Sequence, residues 1–195
     1  MPKPLRNFIY LIISLLIIFA SCDSSHSPKP RGYFRIDLPE KAYQTFDTTY
    51  PYSFKHPVYS EMVPDTREGA GLYWADLEFP RFDATIHISY KEVWGNKLKQ
   101  YIEDARTFTN KQIPKATAIN HEVVVIPDKS VYGMIYHIEG PEAASTLQFF
   151  ITDSVDHFLR GALYFNVTPN NDSLAPVIDF IKEDVDYMIE TFKWE

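Results

Sequence analysis

Two groups of residues in this chain are of the types that do chemistry. The first is a single thiol: Cys22 is the only cysteine among 195 residues. A thiolate is nucleophilic enough to form a thioether under mild conditions, which a serine hydroxyl is not. The second is the polar run Thr152-Asp-Ser-Val-Asp-His-Phe-Leu-Arg-Gly161, which carries Asp153, Ser154, Asp156, His157 and Arg160. Serine, histidine and carboxylate are the parts of a hydrolytic triad. A triad, however, is set in line from separate segments, and one tight turn cannot present all three groups to each other. No Gly-x-Ser-x-Gly elbow accompanies the run. Asp and Ser also stabilise turns by bonding side chain to backbone, which is the role expected of Asp153 and Ser154. A small-ligand-binding or hydrolytic site built on the Asp153–Arg160 turn stands as the alternative.

The remaining candidates are dispersed. The histidines are His26, His56, His87, His121, His137 and His157, too far apart for a single-segment zinc motif. His87 and His137 fall in strand-like runs, and a structural role is expected of both. Glu103 with Asp104, and Glu183, Asp184 and Asp186, lie in helix-like runs, and their phase places them on solvated faces. Seven glycines, none in a Gly-x-Gly-x-x-Gly spacing, leave no phosphate-binding loop. No metal, no catalytic residue and no cofactor are expected, and the chain is not expected to be an enzyme.

The surroundings of Cys22 give its chemistry a setting. Lys3 and Arg6 precede an apolar run from Phe8 to Phe19, and Ala20-Ser21 follow it. A short basic region, an apolar core of this length and small residues form a secretory signal, too short to span a bilayer stably. A cysteine directly after the small residues resembles the lipobox of bacterial lipoproteins. There the sulfur takes a diacylglyceryl group, cleavage makes the cysteine the first residue, and its amine is then acylated, commonly with palmitate. Phe19 departs from the Leu, Val or Ile usual at its position. The expected organisation is a cleaved signal peptide at 1–21, the lipidated Cys22 with a flexible tether at 22–30, and a single domain at 31–195. The tether, Asp23 to Pro30, has nothing apolar to bury. Arg31, Tyr33, Phe34 and Arg35 follow it as a possible partner-binding strip close to the membrane.

Removing residues 1–21 takes two bases and no acids, so the net charge goes from −7 to −9. An acidic chain without clustered Lys and Arg argues against nucleic acid as a partner. With one cysteine, the exported domain is held by packing rather than by intramolecular disulfides.

The elements that must position these groups follow from periodicity. Residues 50–57, 71–79, 84–90, 118–126, 131–138, 145–152 and 158–167 read as strands with short polar breaks, which enforce antiparallel neighbours. Leu98, Tyr101, Ile102, Ala105 and Phe108 mark a helix ending before Pro114. Leu174, Ile178, Ile181, Val185, Met188 and Phe192 mark a second, over 173–192, with Asn171 or Asp172 as N-cap and Pro176 in the first turn. The expected class is α+β: a single antiparallel sheet of six or seven strands with two main helices packed on it. The element order is similar to that of PsbP and Mog1 domains, a likeness of fold alone.

Several runs carry a more specific resemblance. These are Pro28-Lys-Pro-Arg-Gly-Tyr-Phe-Arg-Ile-Asp-Leu-Pro-Glu40, His87-Ile-Ser-Tyr-Lys91, Tyr101-Ile-Glu-Asp104, Gln148-Phe-Phe-Ile-Thr-Asp-Ser154, His157-Phe-Leu-Arg-Gly-Ala-Leu-Tyr-Phe165 and Trp194. Together they resemble the gliding-motility lipoprotein GldD family of Bacteroidetes. The resemblance implies a cell-envelope lipoprotein required for gliding and type IX secretion, acting as a non-enzymatic assembly or stabilising component beside other proteins of that machinery. It transfers no catalytic residues. The lipid on Cys22 would hold the protein to the inner or outer membrane with its domain in the periplasm. Several acyl chains at about 0.8 kcal/mol per buried methylene make such attachment permanent. Cys22→Ser is therefore expected to move a folded domain from the membrane pellet to the soluble fraction. Membrane-bound, fully active Cys22→Ser protein would show the lipid to be dispensable.

Overall fold

The computed structural model describes residues 36–195 except residue 48. The chain runs through β1 (Tyr43–Phe46), β2 (Tyr52–Pro57), β3 (Glu61–Pro64), β4 (Ala75–Phe79) and β5 (Ala84–Glu92) into helix α1 (Lys97–Asn110). It continues through β6 (Ala118–Ile126), β7 (Val131–Glu139), β8 (Ser145–Thr152) and β9 (His157–Phe165) into helix α2 (Asn171–Thr191), and closes with β10 (Lys193–Trp194). Seven strands form one antiparallel sheet in the order β3-β4-β5-β9-β8-β7-β6, and β1-β2-β10 form a second, three-stranded one. The expected α+β class, with two main helices and a seven-stranded antiparallel sheet, is present. The second sheet is an addition: the run at 50–57 pairs with β1 and β10 rather than joining the large sheet, where β3 takes the edge.

Two hairpins are closed by the same device. Pro80–Phe82 and Pro127–Lys129 each make one 3-10 turn that ends on a left-handed residue, Asp83 at φ 48° and Ser130 at φ 53°. Proline sets the first dihedral, and the left-handed residue reverses the chain into the next strand. Between β5 and β6 no hairpin is possible, because β9, β8 and β7 lie between them in the sheet. Four strand spacings are about 19 Å. A helix of 14 residues spans about 21 Å, so α1 is long enough to carry the chain across that face.

Side chains alternate accordingly. Leu147, Phe149 and Ile151 of β8, with Leu159 and Leu163 of β9, face the main core, which α2 covers with Val177, Ile181, Val185 and Met188. Phe150 and Phe158 face the other way, under Tyr101, Ile102 and Ala105 of α1. Phe149 lies opposite Gly161 in the register, and a Cβ at 161 would stand 2.2 Å from the Phe149 ring. Only glycine leaves room for that ring. The six buried apolar side chains of α2, Val177, Ile178, Ile181, Val185, Met188 and Ile189, supply on the order of 10 kcal/mol before conformational entropy is charged against them.

Helix α2 begins two residues before its apolar stripe suggests, with Asn170 at the N-cap. Asn171 does not cap; its amide donates to the carbonyls of Gly140 (2.7 Å) and Ala143 (2.9 Å), fastening the helix start to the β7–β8 loop. Pro176 thus sits in the second turn instead of the first, where it lacks the N–H that the helix would use.

Asp184 corrects the expectation of a solvated acidic face on α2, for it is 1% exposed. It stands three residues after Ile181 and four before Met188, on the buried stripe itself. The Lys41 ammonium donates to its Oδ1 at 2.7 Å and to the Phe180 carbonyl at 2.6 Å. The hydroxyls of Tyr43 (3.0 Å) and Tyr59 (2.7 Å) donate to the same carboxylate. Burial, reinforced by that carboxylate, pushes both phenols well above their ordinary range. One acid on α2 thereby fastens the segment before β1, β1 itself and the β2–β3 connection. Asp184→Ala leaves two hydroxyls unpaired and Lys41 with only the exposed Glu183 carboxylate at 3.6 Å, and should lower unfolding free energy by about 2–4 kcal/mol in urea titrations. A change under about 1 kcal/mol would show the knot to be dispensable.

Candidate functional site

Cys22, Arg31, Tyr33, Phe34 and Arg35 lie outside the described residues. The Asp153–Arg160 run lies within them, and its groups are not brought together. Asp153 Oδ1 accepts the backbone N–H groups of Val155 (3.0 Å), Asp156 (3.0 Å) and His157 (2.8 Å). Ser154 takes a left-handed φ of 72°. Burial raises the Asp153 carboxyl, and the three N–H donors outweigh it, leaving its pKa below the ordinary value. These residues build the turn, as expected of Asp153 and Ser154. No hydrogen bond joins the side chains of Ser154, Asp156 and His157.

Position parity separates the rest. His157 points to the face of the main core, where its Nδ1 meets the Tyr90 hydroxyl at 2.7 Å and its ring stacks on Trp194 at 5.1 Å. Burial and nearby carboxylates push the Tyr90 phenol up to about 12. Arg160, three residues along β9, leaves from the opposite face and runs under α1. Its Nη2 donates to Gln148 Oε1 at 2.9 Å, its guanidinium lies 4.5 Å from the Phe108 ring centroid, and it bonds the Tyr164 hydroxyl. Burial lowers its pKa.

That face holds a better-formed site. The polar positions of β5, namely His87, Ser89 and Lys91, alternate with Ile86, Ile88 and Tyr90, which are buried in the main core. They lie beside Arg160 and Phe158 of β9, Asp76 of β4 and the Tyr101, Asp104 and Phe108 face of α1, around a cleft of about 270 Å³. At one wall Asp76 Oδ1 meets His87 Nδ1 at 2.6 Å. Arg67 bridges outward, donating to Asp65 Oδ1 (2.8 Å) and Oδ2 (2.7 Å) and to Asp76 Oδ1 (3.3 Å). Those bonds to Arg67 draw the Asp65 carboxyl down to about 2. His87 with Asp76 is half of a general-base arrangement, but Ser89, two residues along the same face, turns its hydroxyl to the Arg160 carbonyl at 3.5 Å. A nucleophile in line with His87 is missing from the arrangement. Among the described residues, no three His, Cys, Asp or Glu side chains converge in the manner of a metal site.

A larger groove of about 430 Å³ flanks α1 on its other side, bounded by Thr109, Ile113, Ile119, His121 and Tyr136. Its one Arg, Arg106, is spent on Glu103 at 3.1 Å. The electrostatically distinctive cleft is therefore the smaller one. Lys91, Asp76 and Arg67 are not singled out by the sequence as members of a site, and Asp104, expected on a solvated face, is part-buried in the cleft wall. The available signal was His87-x-Ser89-x-Lys91, a polar face on a strand whose other face carries Ala84, Ile86, Ile88 and Tyr90. Such a face looks solvated until a helix is laid across it.

A family model described as gliding motility lipoprotein GldD matches residues 23–194. The chain belongs to that family. GldD membership associates it with gliding motility and, as a lipoprotein family, with the cell envelope. No curated protein matches the chain. Among solved structures, the solution structure of PsbP (CyanoP) from Synechocystis sp. PCC 6803 is similar at 12% identity and TM-score 0.48, covering 83% of this chain and 98% of that one. The α+β class of this GldD chain stands on its own strand order and helices.

The turn analysis carries a measurable consequence. Asp153→Ala orphans three backbone donors and should cost about 1–3 kcal/mol of unfolding free energy near pH 7. Because the folded pKa is depressed, that contribution is present above the ordinary value of 3.8 and is lost as pH falls through the folded value. The gap between wild type and variant should stay constant from about pH 6 to 8 and close below about pH 4. A gap unchanged in acid would contradict the role given to the carboxylate.

Proposed function

We propose that this chain is a bacterial lipoprotein, cleaved before Cys22, lipidated there, and carrying residues 31–195 as one periplasmic domain on the inner or outer membrane. In that position it supports the assembly or stability of the gliding machinery and of the type IX secretion system of Bacteroidetes, without catalysing a reaction. The observation that carries this reading is the family match over 172 residues, 23–194. The signal and thiol arrangement before it supply the address. Arg31, Tyr33, Phe34 and Arg35 are the proposed contact with other gliding and secretion proteins.

The geometry favours the non-enzymatic reading over hydrolysis at the Asp153–Arg160 turn. Asp153 spends its carboxylate on backbone donors, and His157 and Arg160 leave β9 on opposite faces. Deleting the gene in a gliding member of Bacteroidetes is expected to abolish colony spreading and to hold C-terminally signalled cargo inside the cell, and the wild-type gene should restore both. A deletion strain that spreads and secretes normally would overturn the proposal.

A further inference from the structure

Buried cations are ordinarily neutralised by acids, because a charge removed from water needs a counter-charge and full hydrogen bonding. Two part-buried cations of the cleft under α1 have no carboxylate partner among the described residues. Among the described residues, the partners of Arg160 are neutral: the Gln148 side-chain carbonyl at 2.9 Å, the Tyr164 hydroxyl and the Phe108 ring. Lys91 rests its ammonium over the Tyr101 ring at 4.6 Å. Tyr101 and Phe108 are seven residues apart, on one face of α1, so each cation lies against an aromatic ring where an ion pair would be usual. The three carboxylates around the cleft do not neutralise them. Asp65 and Asp76 are engaged by Arg67 and His87, and Asp104 lines the same cleft with no cation of the described residues within 4 Å. Gln148, which accepts from Arg160, is 1% exposed, and its Nε2 is a buried donor without a partner among the described residues.

The sheet register brings the two cations together. Arg160 lies opposite Ser89 and Phe158 opposite Lys91, so Lys91 is the diagonal neighbour of Arg160 on the same face. Diagonal pairs are about 7–8 Å apart at the backbone, a separation that two long side chains close around one small anion. Trp74, Phe108 and Phe158 give the cleft a flat apolar portion beside its polar one.

We propose that this cleft binds a small organic monocarboxylate with an aromatic body, its carboxylate held between Arg160 and Lys91 and its ring against Trp74 and Phe108. A planar guanidinium matches a carboxylate in bidentate geometry. The volume of about 270 Å³ lies near the lower end of the range for small-molecule sites, about 300 Å³, which suits a small aromatic acid. Asp104 in the same wall disfavours a phosphate dianion by like-charge repulsion.

The test uses the full-length protein in detergent micelles, labelled with nitrogen-15 and titrated with phenylacetate, with the neutral phenylacetamide and with inorganic phosphate. Phenylacetate is expected to shift the Trp74 indole N–H and the Arg160 Nε–H resonances saturably, with a Kd of about 1 mM or lower. Phenylacetamide and phosphate should bind at least about tenfold more weakly. Arg160→Met should weaken phenylacetate at least about tenfold, and Lys91→Met about threefold or more. The Lys91 variant alters a partly exposed side chain and decides the matter if Arg160→Met fails to fold. Absence of saturable shifts, equal binding of the amide or of phosphate, or wild-type affinity in the Lys91 variant would each overturn the assignment.

Discussion

Strand β8 meets water on neither face: all eight of its residues, Ser145 to Thr152, are buried. A strand in the middle of an antiparallel sheet with two covered faces needs two separate layers, each drawn from elsewhere in the chain. Here α2 and the small sheet cover one face, and α1 covers the other. The two covers differ greatly in size. Seven strands span about 29 Å from first to last, while α1 offers about 21 Å of helix. A helix that short shields β8 and β9 and leaves ground uncovered on both flanks, which is where both clefts lie. The β4–β5 flank, rich in polar residues, becomes a cleft because the cover is too small. No loop dedicated to binding is needed to make it.

The other layer is larger and held by a different mechanism. Tyr52 and Phe54 of β2 stack on Phe192 at 6.0 and 6.1 Å, and Trp194 closes edge-on against Phe192 at 4.6 Å. These contacts join the beginning of the described chain to its end. Packing of this kind is non-directional, so it does not by itself fix where β1 lies along α2. The Asp184 carboxylate does, because it has three donors at fixed directions from three positions, Lys41, Tyr43 and Tyr59. The pair of effects divides the labour between affinity and register. It also explains why a buried carboxylate survives beside a core cluster of aromatic and aliphatic side chains.

Most of the large sheet and both helices were legible in the sequence because their signals are local. The β4–β5 break at Pro80 to Asp83 and the strands from 84 to 167 follow alternation and turn chemistry within each run. What failed was non-local. Tyr43–Phe46, Glu61–Pro64 and Lys193–Trp194 are strands of two to four residues, too short to show a period, and they exist because a partner strand offers them hydrogen bonds. Asp184 was assigned to solvent because helical phase reveals which residues share a stripe and is silent on how wide the buried arc is. The cleft was half legible. His87 and Arg160 stood out as chemically able residues, yet their meeting depends on β9 pairing with β5, a neighbour separated from it by more than sixty positions.

Charge ties the sequence to the kind of ligand this cleft can admit. The mature chain is expected to carry −9, a field that repels polyanions approaching from solution. Beyond a Debye length of about 8 Å that field is screened, so a small anion that enters the cleft responds to Arg160 and Lys91 beside it and hardly at all to the distant acids. Local cations within a net-acidic envelope therefore select by size: nucleic acid and other extended polyanions meet the whole surface, and a monocarboxylate meets only the site. The acids nearest the cations sharpen this filter. Asp65 and Asp76 are occupied by Arg67 and His87, which keeps them from neutralising Arg160, while Asp104 remains as a fixed negative group that a second charge on the ligand would have to approach.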